Sequence, residues 1–258
     1  MSKGQLNKSK IILKKDEVTA CFQFAEEAWE FQSQSKKHFG DGKRSKEEFL
    51  ADQTEGKLAE LVLMKFLKEE GLIVNLDFNH YEGEHNTDKG DFKILSHDKL
   101  IEAAVDVKGS SQYAQWLLVE DYKFIDYNTG KLRSNAFVMV CFGDTFPGNK
   151  ALRKEPKLIL NNEYEAEVMG WAMAEDFYEP GKNTFWFEWG QRSQPWNKKV
   201  LPKSIPYNRK GLENYLNISV PNTEKPKLSL VLDAKMNYGL PIKWLRKDWK
   251  EFISFVLK

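Results

Sequence analysis

Gly71 divides two hydrophobic periods, and that change of period constrains the fold more than any other feature of the chain. Before it, Ser45 and Glu48 form the Ser-x-x-Glu spelling of a capping box, which predicts a helix opening there and running to Glu70, with a break near Thr54 to Gly56 as an alternative. From Leu58 to Leu67 this stretch is apolar nearly all round, with Glu60 and Lys65 the exceptions, as in a helix buried against a sheet. After Gly71 the segments 72–78, 91–95, 100–108, 136–142 and 165–171 are short and rich in Val, Ile and aromatic residues, which predicts strands. Helical spacing frames them on both sides. Val18, Phe22, Ala25 and Trp29 share a face within residues 16–33, and Leu245, Trp249, Phe252, Ile253 and Val256 share one within residues 245–257. Helix, strands, then helix predict an α/β fold with a central mixed β-sheet flanked by helices.

With 258 residues, 41% hydrophobic and 30% charged, the chain can bury a substantial core, which excludes wholesale disorder. Thirty-nine Lys+Arg against 38 Asp+Glu leave a formal charge of +1, so any polyanion site has to be a local patch. The longest apolar run, Ala136 to Phe142, is seven residues, far short of the roughly 20 that cross a bilayer, so no membrane is expected. The first residues carry Lys without a long apolar stretch, and Cys21 and Cys141 are the only cysteines. Together these suggest reduced thiols in a cytoplasmic protein.

The chemistry-bearing segment is TDKGDFKILSHDKLIEAAVDVKGSS. Strand alternation in LIEAAVDVK sets Ile101, Ala103, Val105 and Val107 on one face and Glu102, Ala104, Asp106 and Lys108 on the other. Fourteen residues lie between Asp91 and Asp106, enough for a strand, a turn at SHDK and a return, so a hairpin can bring the two carboxylates together. Two adjacent carboxylates repel unless a cation holds them, and Mg²⁺ is commonly held by one or two carboxylates plus phosphate oxygens. An ammonium on the same strand face could polarise water or balance charge on phosphate. Asp, Asp and Lys so placed are the parts for phosphodiester hydrolysis. Glu60 adds a clue: its helical neighbours Gly56, Leu63, Met64 and Leu67 are apolar or small, so this carboxylate needs a metal, a lysine or a hydrogen-bond partner, and Lys108 is a candidate. The spelling acidic-x-Lys occurs eight times and by itself decides nothing; Asp106 has the β-pattern before it and an Asp-led strand upstream. Its nearest rival is Asp233 with Lys235.

Gly56, Glu60 and Gly71 in GKLAELVLMKFLKEEG, then GDFKI, then VDVKG, resemble the core of the PD-(D/E)xK nuclease superfamily, which includes type II restriction endonucleases, junction resolvases and repair nucleases. The resemblance covers residues 45–112, with weaker similarity through the strands to Tyr178, and Gly90 stands where the family's name has Pro. It implies a restriction-endonuclease-like core in which Asp91, Asp106 and the Val107 carbonyl hold Mg²⁺, with Mn²⁺ as a substitute. Lys108 would orient or activate water, and Glu60 would be the helix-borne acid. It also implies double-stranded DNA as substrate and a homodimer as the working form. The expected activity is that of a Mg-dependent DNA endonuclease, a sequence-specific type II restriction enzyme first. A structure-specific or repair nuclease and a non-catalytic DNA-binding protein with a nuclease-like fold stay open as alternatives.

Beyond Pro180 the chain becomes Trp-rich and basic. Between Gln191 and Leu212 stand Arg192, Lys198, Lys199, Lys203, Arg209 and Lys210 with Trp196 and Tyr207 among them and no acidic residue. Such a run can neutralise phosphates and stack on bases; a solvated proline-rich connector is the competing reading. Ser110, Ser111 and Gln112, just after the lysine, could contact DNA or simply turn the chain. The expected organisation is an N-terminal helical segment over 1–44, a nuclease core over 45–180 and a C-terminal extension over 181–258. GDTFPGNK lacks the GK[ST] element of a phosphate-binding loop, and the four scattered histidines make no zinc set.

Overall fold

The computed structural model describes residues 10–34, 45–71, 73–76, 92–96, 99–103, 105–111, 114, 116–120, 133–177, 185–188 and 236–256. Residues are grouped into two compact units that are discontinuous in sequence. The first takes residues 1–114, 136–171 and 246–258; the second takes 115–135 and 172–245.

In the first unit, helix α1 (Lys15–Gln34) buries Val18, Cys21, Phe22, Ala25 and Ala28, the face its three-and-four spacing marks out. Its first turn carries Asp16 and Glu17, the sign of charge that a helix N-terminus favours. Helix α2 (Lys46–Glu69) runs unbroken through Thr54 to Gly56. The capping box is complete: the Glu48 N–H donates to Ser45 Oγ and the Ser45 N–H donates to Glu48 Oε2, each at 3.2 Å. Gly71 follows at φ 86°, a left-handed conformation in which glycine carries no Cβ penalty, and the helix stops there. The two helices meet through Trp29 and Phe49, ring centroids 5.4 Å apart, and Lys65 ties them to the first strand by donating to Glu17 and to the Ile12 carbonyl at 2.6 Å.

These helices flank a mixed sheet. Strands β1 (Lys10–Leu13), β5 (Val105–Ser111), β7 (Ala136–Phe142) and β8 (Tyr164–Met173) form it in the order β1-β8-β7-β5. β1 pairs antiparallel with β8, whereas β5 pairs parallel with β7, from Val105 opposite Ala136 to Ser111 opposite Phe142. Every residue of β7 is buried, which is why it reads as an unbroken apolar run rather than an alternation. β5 is the end strand of this sheet. A separate antiparallel sheet, β2 (Ile73–Leu76), β3 (Phe92–Ser96) and β4 (Lys99–Ala103), leads into it along the chain. Ser96 lies opposite Lys99 at one end of the β3–β4 pairing, and Phe92 lies opposite Ala103 at the other. Where alternation predicts one strand over 100–108, the structure has two, because β4 takes its hydrogen bonds from β3 and β5 from β7.

The linear division at residues 44 and 180 differs from the observed units, and the reason is pairing between segments far apart in the chain. β1 joins the N-terminal segment to β8. The C-terminal helix α5 (Trp249–Val256) belongs to the first unit too, with Trp249 edge-on to Phe66 at 4.7 Å and Phe252 to Trp171 at 5.3 Å. The Trp171 indole N–H donates to the Asp248 carbonyl at 3.1 Å. Two short helices, α3 (Asn149–Leu152) and α4 (Ala174–Phe177), lie in the first and second unit respectively. The second unit also holds the antiparallel sheet β6 (Trp116–Glu120), β10 (Met236–Pro241) and β9 (Phe185–Glu188), in that order. Among the described residues no helix is long and apolar enough to cross a membrane.

Candidate functional site

Alternation along β5 sorts its side chains physically. Val105 and Val107 are buried, and Asp106 and Lys108 project from the other face with 16% of each side chain exposed. There the Lys108 ammonium meets Asp106 Oδ2 at 2.9 Å. Ser110 is the next residue on the same face by the period of two, and is partly buried. β7 lies beside the pair in the sheet, with Phe137 in register with Asp106 and Met139 in register with Lys108 on the same face.

Gly109 shows what covers the Val105 and Val107 face. A Cβ there would lie 3.0 Å from Phe142 Cε2, 3.2 Å from the Ala59 Cβ and 3.4 Å from the Glu55 carbonyl oxygen. Helix α2 therefore presses directly on the backbone of β5 at the residue after Lys108, on the side away from the Asp106 and Lys108 side chains. The absence of a side chain at Gly109 is what permits so close an approach.

Glu60 is on that helix, and a partner the structure supplies is Lys57, one turn back, in a largely buried ion pair. Lys57 Nζ also lies 4.7 Å from the centre of the Phe24 ring on α1. Lys57 and Glu60 both act on the Cys21 thiol of α1, which is pushed up to about 12, by burial first and by the charge of Glu60 second. The carboxylate expected to serve the site is thus paired within α2, near the Cys21 thiol of α1. The Lys57–Glu60 pairing follows from a three-residue spacing that helical geometry places on one side.

A polar cluster that the sequence reading passes over lies at the start of α2. Arg153 holds Asp52 through two bonds, Nε to Oδ1 at 3.1 Å and Nη2 to Oδ2 at 3.0 Å, and Asn149 Nδ2 donates to Glu55 Oε2 at 3.2 Å. The Glu55 carboxyl is raised above its ordinary value, by burial first, against the lowering effect of the Asn149 bond. The cluster clips α3 to α2. Two acids three apart in a helix are its only sequence signal, and their partners lie about a hundred residues away.

Of the remaining expected site residues, Val107 is buried in β5 and Ser111 ends that strand. Asp91, Gln112, Arg192, Trp196, Lys198, Lys199, Lys203, Arg209 and Lys210 lie outside the described residues. Among the described residues no group of three or more His, Cys, Asp or Glu could hold a metal ion. An ion at Asp106 would therefore draw its other donors from backbone, water, substrate or residues outside that set. The donor chemistry fits a hard divalent cation, since a carboxylate is the ligand such ions prefer and Mg²⁺ needs only one or two. Comparison with family models, with curated proteins and with solved structures finds no match to this chain.

Proposed function

We propose that the protein is a Mg²⁺-dependent endonuclease acting on double-stranded DNA, with a type II restriction enzyme as the finer reading. The observation that carries it is the Asp106–Lys108 pair, side by side on one face of the end strand β5 and 2.9 Å apart. The β3–β4 hairpin adds support. Its open end sets Phe92, the residue that follows Asp91 in the sequence, opposite Ala103. Asp106 follows Ala103 by three residues, at most about 11 Å of chain.

On this reading Asp106 and Asp91, with the Val107 carbonyl, hold the ion. When bound, it supplies positive charge to phosphate oxygens and eases loss of a proton from water. Lys108 carries the rest of the argument: its ammonium donates to the attacking water or to a non-bridging phosphate oxygen, where it offsets charge as the phosphodiester becomes crowded. Ser110, next along the face, donates to the DNA backbone. The basic segment 191–212 neutralises phosphates away from the cut. Glu60, paired with Lys57 on α2, is the helix-borne acid that the resemblance implies.

The test is incubation of supercoiled plasmid with the full chain in Mg²⁺ or in EDTA, beside Asp106→Ala and Lys108→Ala. Cleavage in Mg²⁺ alone, reduced at least about 100-fold in both variants, is the expected result. Gel-shift binding with no cleavage would replace the enzyme by a binding protein. Discrete fragments from a long duplex identify a restriction enzyme; cutting confined to branched or damaged DNA identifies a repair or junction nuclease.

A further inference from the structure

The Asp106 carboxylate is asked to serve two cations. Strand geometry places the Lys108 ammonium beside it, because residues two apart in β5 share a face, and the observed contact is 2.9 Å. With 16% of each side chain exposed, the pair is more enclosed than a solvated surface contact yet open to a small ion. A divalent cation on the same carboxylate would stand within about 4–5 Å of Nζ, and +2 against +1 at that separation repels by more than a tenfold change in affinity requires, even at the dielectric of a surface. The four-carbon lysine stem lets Nζ move off without any backbone change.

We propose that Lys108 is a resident counter-ion of Asp106 that the divalent cation displaces, so that metal entry is what frees the ammonium for phosphate. This rests on the reading of Asp106 as a metal ligand. It makes the order of events a property of the strand. Before the ion arrives, Asp106 is neutralised and offers no bare negative charge to an approaching DNA backbone. After it arrives, Lys108 is released where a scissile phosphate would lie. The two residues therefore compete in the resting protein and cooperate in the loaded one.

The experiment is titration of Mn²⁺ alone into the full chain, read by calorimetry or by the electron paramagnetic resonance of the free ion, with no DNA and no turnover. Lys108→Gln and Lys108→Met are compared with wild type, with Asp106→Asn and with Lys10→Gln. Lys10 is an exposed lysine paired to Glu165 across β1 and β8, and its loss removes the same formal charge elsewhere. Both Lys108 variants should bind Mn²⁺ about tenfold more tightly or better, Lys10→Gln should bind as wild type, and Asp106→Asn should lose the site. Binding detectable only in the Lys108 variants supports the displacement equally. If the Lys108 variants bind no more tightly than wild type while Asp106→Asn still loses the site, the displacement is wrong and Asp106 remains a ligand. If Asp106→Asn binds as wild type does, the metal reading itself falls and the displacement falls with it.

Discussion

Replacing Gly109 by alanine tests the contact that seats helix α2 on the strand carrying Asp106 and Lys108. Carbon atoms in ordinary contact lie 3.5–4.0 Å apart, whereas the new Cβ would meet Phe142 Cε2 at 3.0 Å and the Ala59 Cβ at 3.2 Å, roughly 0.5 and 0.3 Å too close. Neither neighbour can step aside easily. Phe142 is fully buried and stacked on Phe146 at 4.1 Å between centroids, and Ala59 has no rotamer to change. Relaxation has to be a shift of α2 against β5. Overpacking of this kind costs about 1–3 kcal/mol, offset by roughly 0.4–1 kcal/mol from the stiffer unfolded chain, so a net loss of about 1–2 kcal/mol is expected. For a chain of this size that lowers Tm by roughly 2–8 °C. Gly56 is the internal control, since a Cβ there meets nothing within 4 Å. In the middle of α2, Gly56→Ala should stabilise by about 0.5–1 kcal/mol. Calorimetry with urea melts at unchanged slope measures both. A Gly109→Ala protein as stable as wild type, or more so, would refute the close seating of α2 on β5.

The buried Lys57–Glu60 pair makes Glu60→Ala destabilising by about 2–4 kcal/mol, because a buried ammonium loses its counter-charge; the double replacement Lys57→Met with Glu60→Leu should recover most of it in a urea melt. Folding raises the Glu55 carboxyl above 4.5, so its contribution is present below that pH and lost as pH rises through the folded value. Glu55→Gln, which keeps an acceptor for Asn149, should therefore raise Tm at pH 7, with the gain shrinking toward pH 4. Burial pushes Cys21 and Cys141 up to about 12 from 9.0. Neither thiol should react with a disulfide reagent at pH 8 until the chain is unfolded. The stability these neutral thiols confer is present below pH 9 and is lost as pH rises toward 12.

Local signals in the sequence report local structure well here. The Ser45 and Glu48 spelling identifies the start of α2, Gly71 its end, and the run from Ala136 to Phe142 coincides with β7. Three features are not legible, each because it depends on pairing at long range. Nothing in residues 10–13 announces that they extend the central sheet through β8. The chain's passages between the two units at residues 115, 136, 172 and 246 leave no composition boundary where they occur. The partner of Glu60 was open because a helical wheel marks a lone acid on an apolar face but does not choose between a lysine one turn back and one on another element.

The acidic-x-Lys spelling shows how much of a site comes from secondary structure rather than from residue identity. Glu55 and Lys57 carry it on α2, where residues two apart diverge around the axis, and they part company: Glu55 accepts from Asn149, and Lys57 turns to Glu60. Asp248 and Lys250 carry it at the start of α5, where the Asp248 side chain accepts the Lys250 and Glu251 backbone N–H groups as a cap. Only on β5, among the described residues, does the spelling bring carboxylate and ammonium together. That follows from the buried Val105 and Val107, which fix the phase of the strand and oblige Asp106 and Lys108 to share the other face. The valines are thus as necessary to the proposed chemistry as the charges. Val107→Lys, which keeps both charged residues but makes the buried face polar, should abolish the pair along with the strand, whereas Val107→Ile should preserve both.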